Sequence, residues 1–221
     1  VEYHANGQLA ALRCGAKPLL VPHVDDAKLC GFSALSTVNT YSYQGALRST
    51  TVLEAGVEQK STRFFGNGKP EREEELRGST QHETLYADDG SKRREKWWDV
   101  SGRPALLLRE SEFHASGTLV RERSYTVFEI SGRNRSRLAA ESSSYLNGQP
   151  QRKDVYTVEG NTVLRDTQHF SDQGKLTRQG RFVVEGRHGE RAVGVHPHFF
   201  ANGQLAQENT FDAKGNMARQ K

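Results

Sequence analysis

One short phrase recurs along the chain and limits what it can fold into. The phrase is an aromatic residue, three residues, a Gly, then a polar and an apolar residue. Clear copies are Tyr3-His4-Ala5-Asn6-Gly7-Gln8-Leu9, Phe199-Phe200-Ala201-Asn202-Gly203-Gln204-Leu205 and Phe211-Asp212-Ala213-Lys214-Gly215-Asn216-Met217. Tyr41…Gly45-Ala46-Leu47, Phe64…Gly68-Lys69-Pro70, Phe113…Gly117-Thr118-Leu119 and Phe170…Gly174-Lys175-Leu176 repeat it. Looser copies are Tyr86…Gly90, Trp98…Gly102, Phe128…Gly132, Tyr156…Gly160 and Phe182…Gly186, and Tyr145…Gly148 is one residue short. The phrase reads as a turn. Gly accepts a positive φ at little cost, and Asn-Gly, Asp-Gly and Ser-Gly are strong hairpin signals. The aromatic and the apolar residue end two strands and can meet across the hairpin, a pair worth about 0.2–1 kcal/mol. About a dozen copies in one chain predict a repeat architecture.

From Gly90 onward the glycines of the phrase are 12–17 residues apart, one strand and one turn each. The 23- and 22-residue gaps Gly45–Gly68 and Gly68–Gly90 fit two such steps, with Glu54-Ala55-Gly56-Val57 as one unmarked turn. The expected fold is therefore all-β, an elongated, twisted antiparallel meander of repeated hairpins forming a single domain over residues 1–221. No segment reads as an amphipathic helix. Glu71–Leu76 has helical propensity, but Pro70 and Gly78 bound it tightly, so a charged strand is expected. The apolar fraction of 34% and mean hydropathy of −0.76 suit a thin sheet wet on one or both faces.

Residues 10–36 lack the phrase and read as an insertion or capping element, in which Asp25–Leu29 could make one helical turn. This stretch holds both cysteines, Cys14 and Cys30. An even pair without a catalytic partner suggests a disulfide, stabilising by roughly 3 kcal/mol. Such a bond points to an oxidising compartment such as the periplasm. The alternative is two reduced, buried thiols. The chain begins at Val1, which is compatible with a removed secretory or lipoprotein leader. It contains no apolar run long enough for a membrane span.

The chemistry-bearing residues do not assemble into a known catalytic pattern. The eight histidines are His4, His23, His82, His114, His169, His188, His196 and His198, and none sits in an HExxH-type spacing. His196-Pro197-His198 supplies two imidazoles, fewer than a metal site needs, and reads as a strand beside an edge. No G-x-S-x-G elbow occurs, and the aspartates Asp88, Asp89 and Asp99 fall where turns use them. Neither enzyme activity, metal nor cofactor is expected. Lys and Arg number 31 against 27 Asp and Glu, a net +4 with the signs interspersed. A nucleic-acid partner is not expected, because basic stripes are the usual footprint.

What remains is a surface. Lys92-Arg93-Arg94-Glu95-Lys96-Trp97-Trp98 combines cations with aromatics, and Trp and Arg are enriched at interface hot spots. Adjacent tryptophans on a strand face opposite ways, so one of Trp97 and Trp98 can pack while the other meets a partner. Arg133, Arg135 and Arg137 share one face if extended, or belong to a solvated loop. Arg94, Trp97, Trp98, Arg133, Arg135 and Arg137 are the partner-binding candidates.

The phrase resembles the MORN-type repeat, and more closely its bacterial variant in YwqK-like antitoxin proteins. Tyr3…Asn6-Gly7-Gln8-Leu9, Phe64…Asn67-Gly68-Lys69, Phe170…Gly174-Lys175-Leu176 and Phe199…Asn202-Gly203-Gln204-Leu205 carry the match. The period drifts, so an irregular twisted sheet is expected rather than a regular solenoid. Phe211–Asn216 also resembles the Tyr-Asp repeats of Rhs shells, but 221 residues are too few to build such a shell. The resemblance implies an immunity protein that neutralises a cognate secreted antibacterial effector. A type VI secretion effector, such as an envelope-targeting lipase or phospholipase, would fit a periplasmic location. Any membrane attachment would come from a removed lipoprotein leader. The alternative is a MORN-type scaffold or a protein resting on an anionic membrane surface, which the mild positive charge permits.

Overall fold

The computed structural model describes residues 2–3, 5, 9–14, 17–20, 36–54, 57–186 and 189–221. These residues form strands and turns and no helix. The chain divides into two compact units, Val1–Ala105 and Leu106–Lys221.

The first unit contains β1 (Glu2–Tyr3), β2 (Leu9–Cys14) and β3 (Lys17–Leu20), paired antiparallel in that order. The stretch expected to be an insertion thus opens with a hairpin. Asp25–Leu29 and Cys30, and with them the Cys14–Cys30 pairing, lie outside the described residues. A meander follows: β4 (Ser36–Tyr41), β5 (Leu47–Glu54), β6 (Val57–Phe64), β7 (Pro70–Arg77), β8 (Thr80–Tyr86) and β9 (Lys92–Asp99). Each pairs antiparallel with the next. Glu71–Leu76 is strand, within β7.

The second unit is a meander of the same kind. Its strands are β10 (Leu106–Phe113), β11 (Leu119–Ile130), β12 (Arg133–Ser144), β13 (Pro150–Glu159), β14 (Thr162–Phe170), β15 (Leu176–Glu185), β16 (Gly189–Phe199), β17 (Leu205–Phe211) and β18 (Met217–Gln220). From β11 on, each is antiparallel to the one before it. The chain is an all-β antiparallel meander of repeated hairpins, as the phrase predicted.

The phrase builds a particular loop. In the β6–β7 hairpin the Gly68 N–H donates to Phe65 O at 3.0 Å, and the Phe65 N–H donates to Lys69 O at 2.8 Å. Gly68 has φ of +81°. This is a three-residue loop in which a left-handed Gly closes a type I turn, rather than the two-residue loop that Asn-Gly often marks. The same bond pair recurs in the loops of Gly45, Gly90, Gly117, Gly148, Gly174, Gly203 and Gly215. The aromatic and the apolar residue do face each other across it: Tyr41 pairs with Leu47, Phe64 with Pro70, Phe113 with Leu119 and Phe170 with Leu176.

The looser copies at Gly132 and Gly160 are turns of another kind. Ile130 pairs with Arg133 around Ser131-Gly132, whose φ values are 52° and 73°, as a type I′ loop requires. Glu159 pairs with Thr162 around Gly160-Asn161. In these hairpins the aromatics Phe128 and Tyr156 lie inside strands, not beside the turn. Gly102 lies in the segment after β9 without a left-handed φ.

The polar residues of the phrase tie successive hairpins together. The Asn67 side-chain amide donates to Asp88 O, and Lys69 Nζ donates to Asp89 O, both at 2.7 Å. In the second unit Asn147 donates to Asp172 O at 2.7 Å, and Lys175 Nζ to Ala201 O at 2.9 Å.

Interior positions are mostly polar. Among the described residues the buried hydrophobics are Leu53, Leu106 and Leu164, whereas Thr40, Thr51, Thr84, Glu110, Ser111, Asp154, Arg165, Thr167 and His196 are also buried. Stability therefore rests on the backbone ladder and cross-strand pairs more than on an oily core.

One loop offers a direct test of this turn chemistry. Gly66 and Gly68 both have open space where a Cβ would sit, but only Gly68 has a positive φ. Gly68→Ala should destabilise by about 1 kcal/mol, the left-handed cost. Gly66→Ala should be neutral or stabilise by up to about 1 kcal/mol, because it restricts the unfolded chain. Urea-denaturation midpoints shifting the same way for both variants would refute the loop assignment.

Candidate functional site

In the first unit the candidate residues Arg94, Trp97 and Trp98 lie on β9, half-buried. Alternation along the strand sends the two indoles to opposite faces. Trp97 pairs in register with His82 of β8 and stacks on its ring, with centroids 4.6 Å apart and planes 15° from parallel. Trp98 shares its face with Arg94 and Lys96, and Lys96 Nζ lies 5.7 Å from its ring centre.

On the Trp97 face a shallow groove of about 300 Å³ is lined by Glu73, Glu75, His82, Tyr86, Lys92 and Glu95, among others. Lys92 Nζ donates to Glu95 at 2.8 Å, and Tyr86 OH donates to Glu73 at 2.7 Å. Burial, followed by Glu73, pushes the Tyr86 phenol up to about 12, so it stays a donor at neutral pH. His82 Nε2 is 3.4 Å from Thr84 Oγ1 and 3.7 Å from Glu95. Both contacts use the same nitrogen. A hydroxyl–imidazole–carboxylate relay needs opposite nitrogens, so this arrangement positions side chains rather than activating Thr84.

The second arginine group lies in the other unit, on β12. Arg133 and Arg135 are exposed, and Arg137 is half-buried with its guanidinium 4.1 Å from the Phe128 ring centre. Phe128 of β11 pairs in register with Arg135. The stretch is extended, so the three arginines do share a face.

A further groove of the second unit crosses β13–β16. It has about 300 Å³ and is lined by Arg152, Arg165, Thr167, His169, Arg178, Gln179, Gly180, Phe182, Glu190, His196 and His198. Beneath it Asp154, buried, takes Arg152 Nη2 at 2.7 Å and Arg165 Nη1 at 3.5 Å. Arg165, also buried, pairs with Glu190 as well and lies with its guanidinium 4.8 Å from the Phe182 ring centre. His196, read from sequence as a strand residue near an edge, is instead packed inside. Its ring meets Phe182 and Phe211 edge-on at 5.0 and 4.8 Å. Its Nε2 lies 3.0 Å from Arg181 O, 3.2 Å from Val193 O and 3.3 Å from Arg181 N. Gly180 makes room for it, since a Cβ there would lie 2.5 Å from His196 Nδ1.

His169 sits half-buried in this groove. Burial first, then the neighbouring Arg178 and Arg152, hold its imidazole below the usual histidine range. Nothing in the local sequence marks this groove. Its members are assembled by strand register alone, and spacing-based reading passed over all of them as a group.

No protein-family model and no curated protein matches the chain. Among solved structures it is similar to TarM, at 9% identity and a TM-score of 0.32, over 59% of this chain and 20% of that one. It is also similar to an S. aureus TarM mutant in complex with Fondaparinux, alpha-GlcNAc-glycerol and UDP, at 8% identity and a TM-score of 0.29, over 59% and 20% of the two chains. The complex TcdB2-TccC3-Cdc42 aligns at 9% identity and a TM-score of 0.16, over 99% of this chain and 17% of that one. The chain thus spans a fifth or less of the length of each. Scores this low assign neither fold nor activity.

Proposed function

We propose that this protein is a binding module that neutralises a cognate protein toxin without turnover of its own. It would be an immunity protein of the YwqK-like MORN variant, acting in the periplasm on a secreted antibacterial effector. The observation that carries this reading is the hairpin phrase, repeated along a sheet whose side chains are mostly half-exposed. Such a sheet offers broad, polar and aromatic surface. A toxin-blocking interface needs about 1,200–2,000 Å² in total, and no deep pocket.

The β9 geometry divides the candidate contacts. Trp97 is committed to His82, whereas Trp98 with Arg94 and Lys96 presents the other face. Trp98→Ala should weaken toxin binding by about 2 kcal/mol, roughly thirtyfold. Arg135→Ala tests the β12 group in the same titration.

The experiment is expression of the neighbouring effector in the periplasm of a sensitive cell, with and without this protein. Rescue of growth is expected. If no adjacent or co-purifying toxin is relieved, and pull-down from the native host recovers an envelope scaffold or lipid, the immunity reading fails.

A further inference from the structure

Across β13–β16, four basic side chains stand in one cross-strand row. Arg152 pairs in register with His169, His169 with Arg178, and Arg178 with His198. The row places two guanidiniums, Arg152 and Arg178, on one face on either side of His169, and their charge calls for something to balance it. Asp154 and Glu190 do so only in part. They are taken by Arg152 and Arg165. Arg178 is exposed, and among the described residues its contact is with His169, Nη2 to Nδ1 at 3.5 Å. That contact makes Nδ1 the acceptor and leaves the imidazole neutral, holding the guanidinium over the groove. Three guanidiniums thus face two carboxylates, and the uncompensated charge sits at Arg178.

The spacing suits a ligand. Arg152 and Arg178 flank β14 and are therefore about 10 Å apart at the backbone, within reach of one group lying above His169. Gly180, next along β15 on the same face, adds no side chain to the floor. Arg165, only 6% exposed, has an Nε without a hydrogen-bond partner among the described residues, so the groove's donor capacity is not used up internally.

We propose that this groove binds an oxyanion, a phosphate or carboxylate group, between Arg152 and Arg178 and above His169. The Arg178 fork matches both groups through paired N–H donors, and Arg152, whose Nε and Nη2 are held by Asp154 at 3.1 and 2.7 Å, adds its charge and its remaining N–H groups. His169 is a positioning residue that holds the Arg178 fork. The site stands independently of the immunity reading, and a toxin-rescue result does not decide it.

The test is calorimetric titration of the full chain at low ionic strength with inorganic phosphate and, separately, with a short polyglutamate peptide. Saturable binding of at least one probe is expected, weakened tenfold or more by Arg178→Gln. Arg181→Gln is the control, because Arg181 lies on the opposite face and is held by Asp166 at 2.7 Å; it should leave binding unchanged. Phosphate binding alone identifies a small phosphorylated ligand, and peptide binding identifies an acidic protein segment. Bound anion should also raise the proton affinity of His169, read by NMR titration of its ring, with a shift that saturates in step with binding. Failure of both probes to bind, or equal weakening by the two arginine variants, overturns the proposal.

Discussion

Asp154→Asn should lower the unfolding free energy by about 3–5 kcal/mol, the range for removing one partner of a buried ion pair. The carboxylate is 2% exposed and holds both Arg152 and the buried Arg165. Without it, Arg165 keeps its charge in a place water barely reaches, with Glu190 alone to balance it. The neighbouring pair Asp166–Arg181 is the built-in comparison. It has better geometry, with two bonds of 2.7 and 2.9 Å, but its side chains are 40% and 50% exposed. Asp166→Asn should therefore cost less than about 1 kcal/mol. Urea denaturation followed by far-UV circular dichroism measures both. Equal losses would mean that burial does not set the strength of these pairs.

Gly180→Ala should cost about 1–3 kcal/mol, the usual penalty for overpacking. The added carbon would lie 2.5 Å from His196 Nδ1 and 2.7 Å from Cε1. A flexible side chain could swing away, but this is a rigid ring held between Phe182 and Phe211 and hydrogen-bonded through Nε2. Moving it breaks the contact with Arg181 O. The loss should largely vanish in a His196→Ala background, giving a coupling of about 1–2 kcal/mol in a double-mutant cycle. A Gly180→Ala penalty that persists unchanged without the imidazole would show that strand propensity, not the ring, sets the cost.

These two variants also mark where sequence reasoning stops. Asp154 and Asp166 are chemically alike, and nothing in the residues beside them says which is buried. Gly180 looks like any weak strand position until His196, on the next strand, is placed above it. The groove row is the same case. Arg152, His169, Arg178 and His198 come from four strands, and only the register of each hairpin makes them neighbours.

The turns were legible because their requirement is local. A single backbone position must take φ > 0, Gly does so without strain, and the residues on either side are forced to end strands. Repetition of that one constraint determined the all-β class, the antiparallel order and most hairpin positions. The same locality explains the misreading of Phe128 and Tyr156, whose spacing to Gly132 and Gly160 imitates the phrase although those loops contain two residues. Tertiary structure alone decided which face each side chain occupies, that Trp97 rather than Trp98 stacks on His82, and which carboxylate lies beneath the arginines. A side chain's face reverses with a one-residue slip in register, and register is a property of paired strands, which no single stretch of sequence contains.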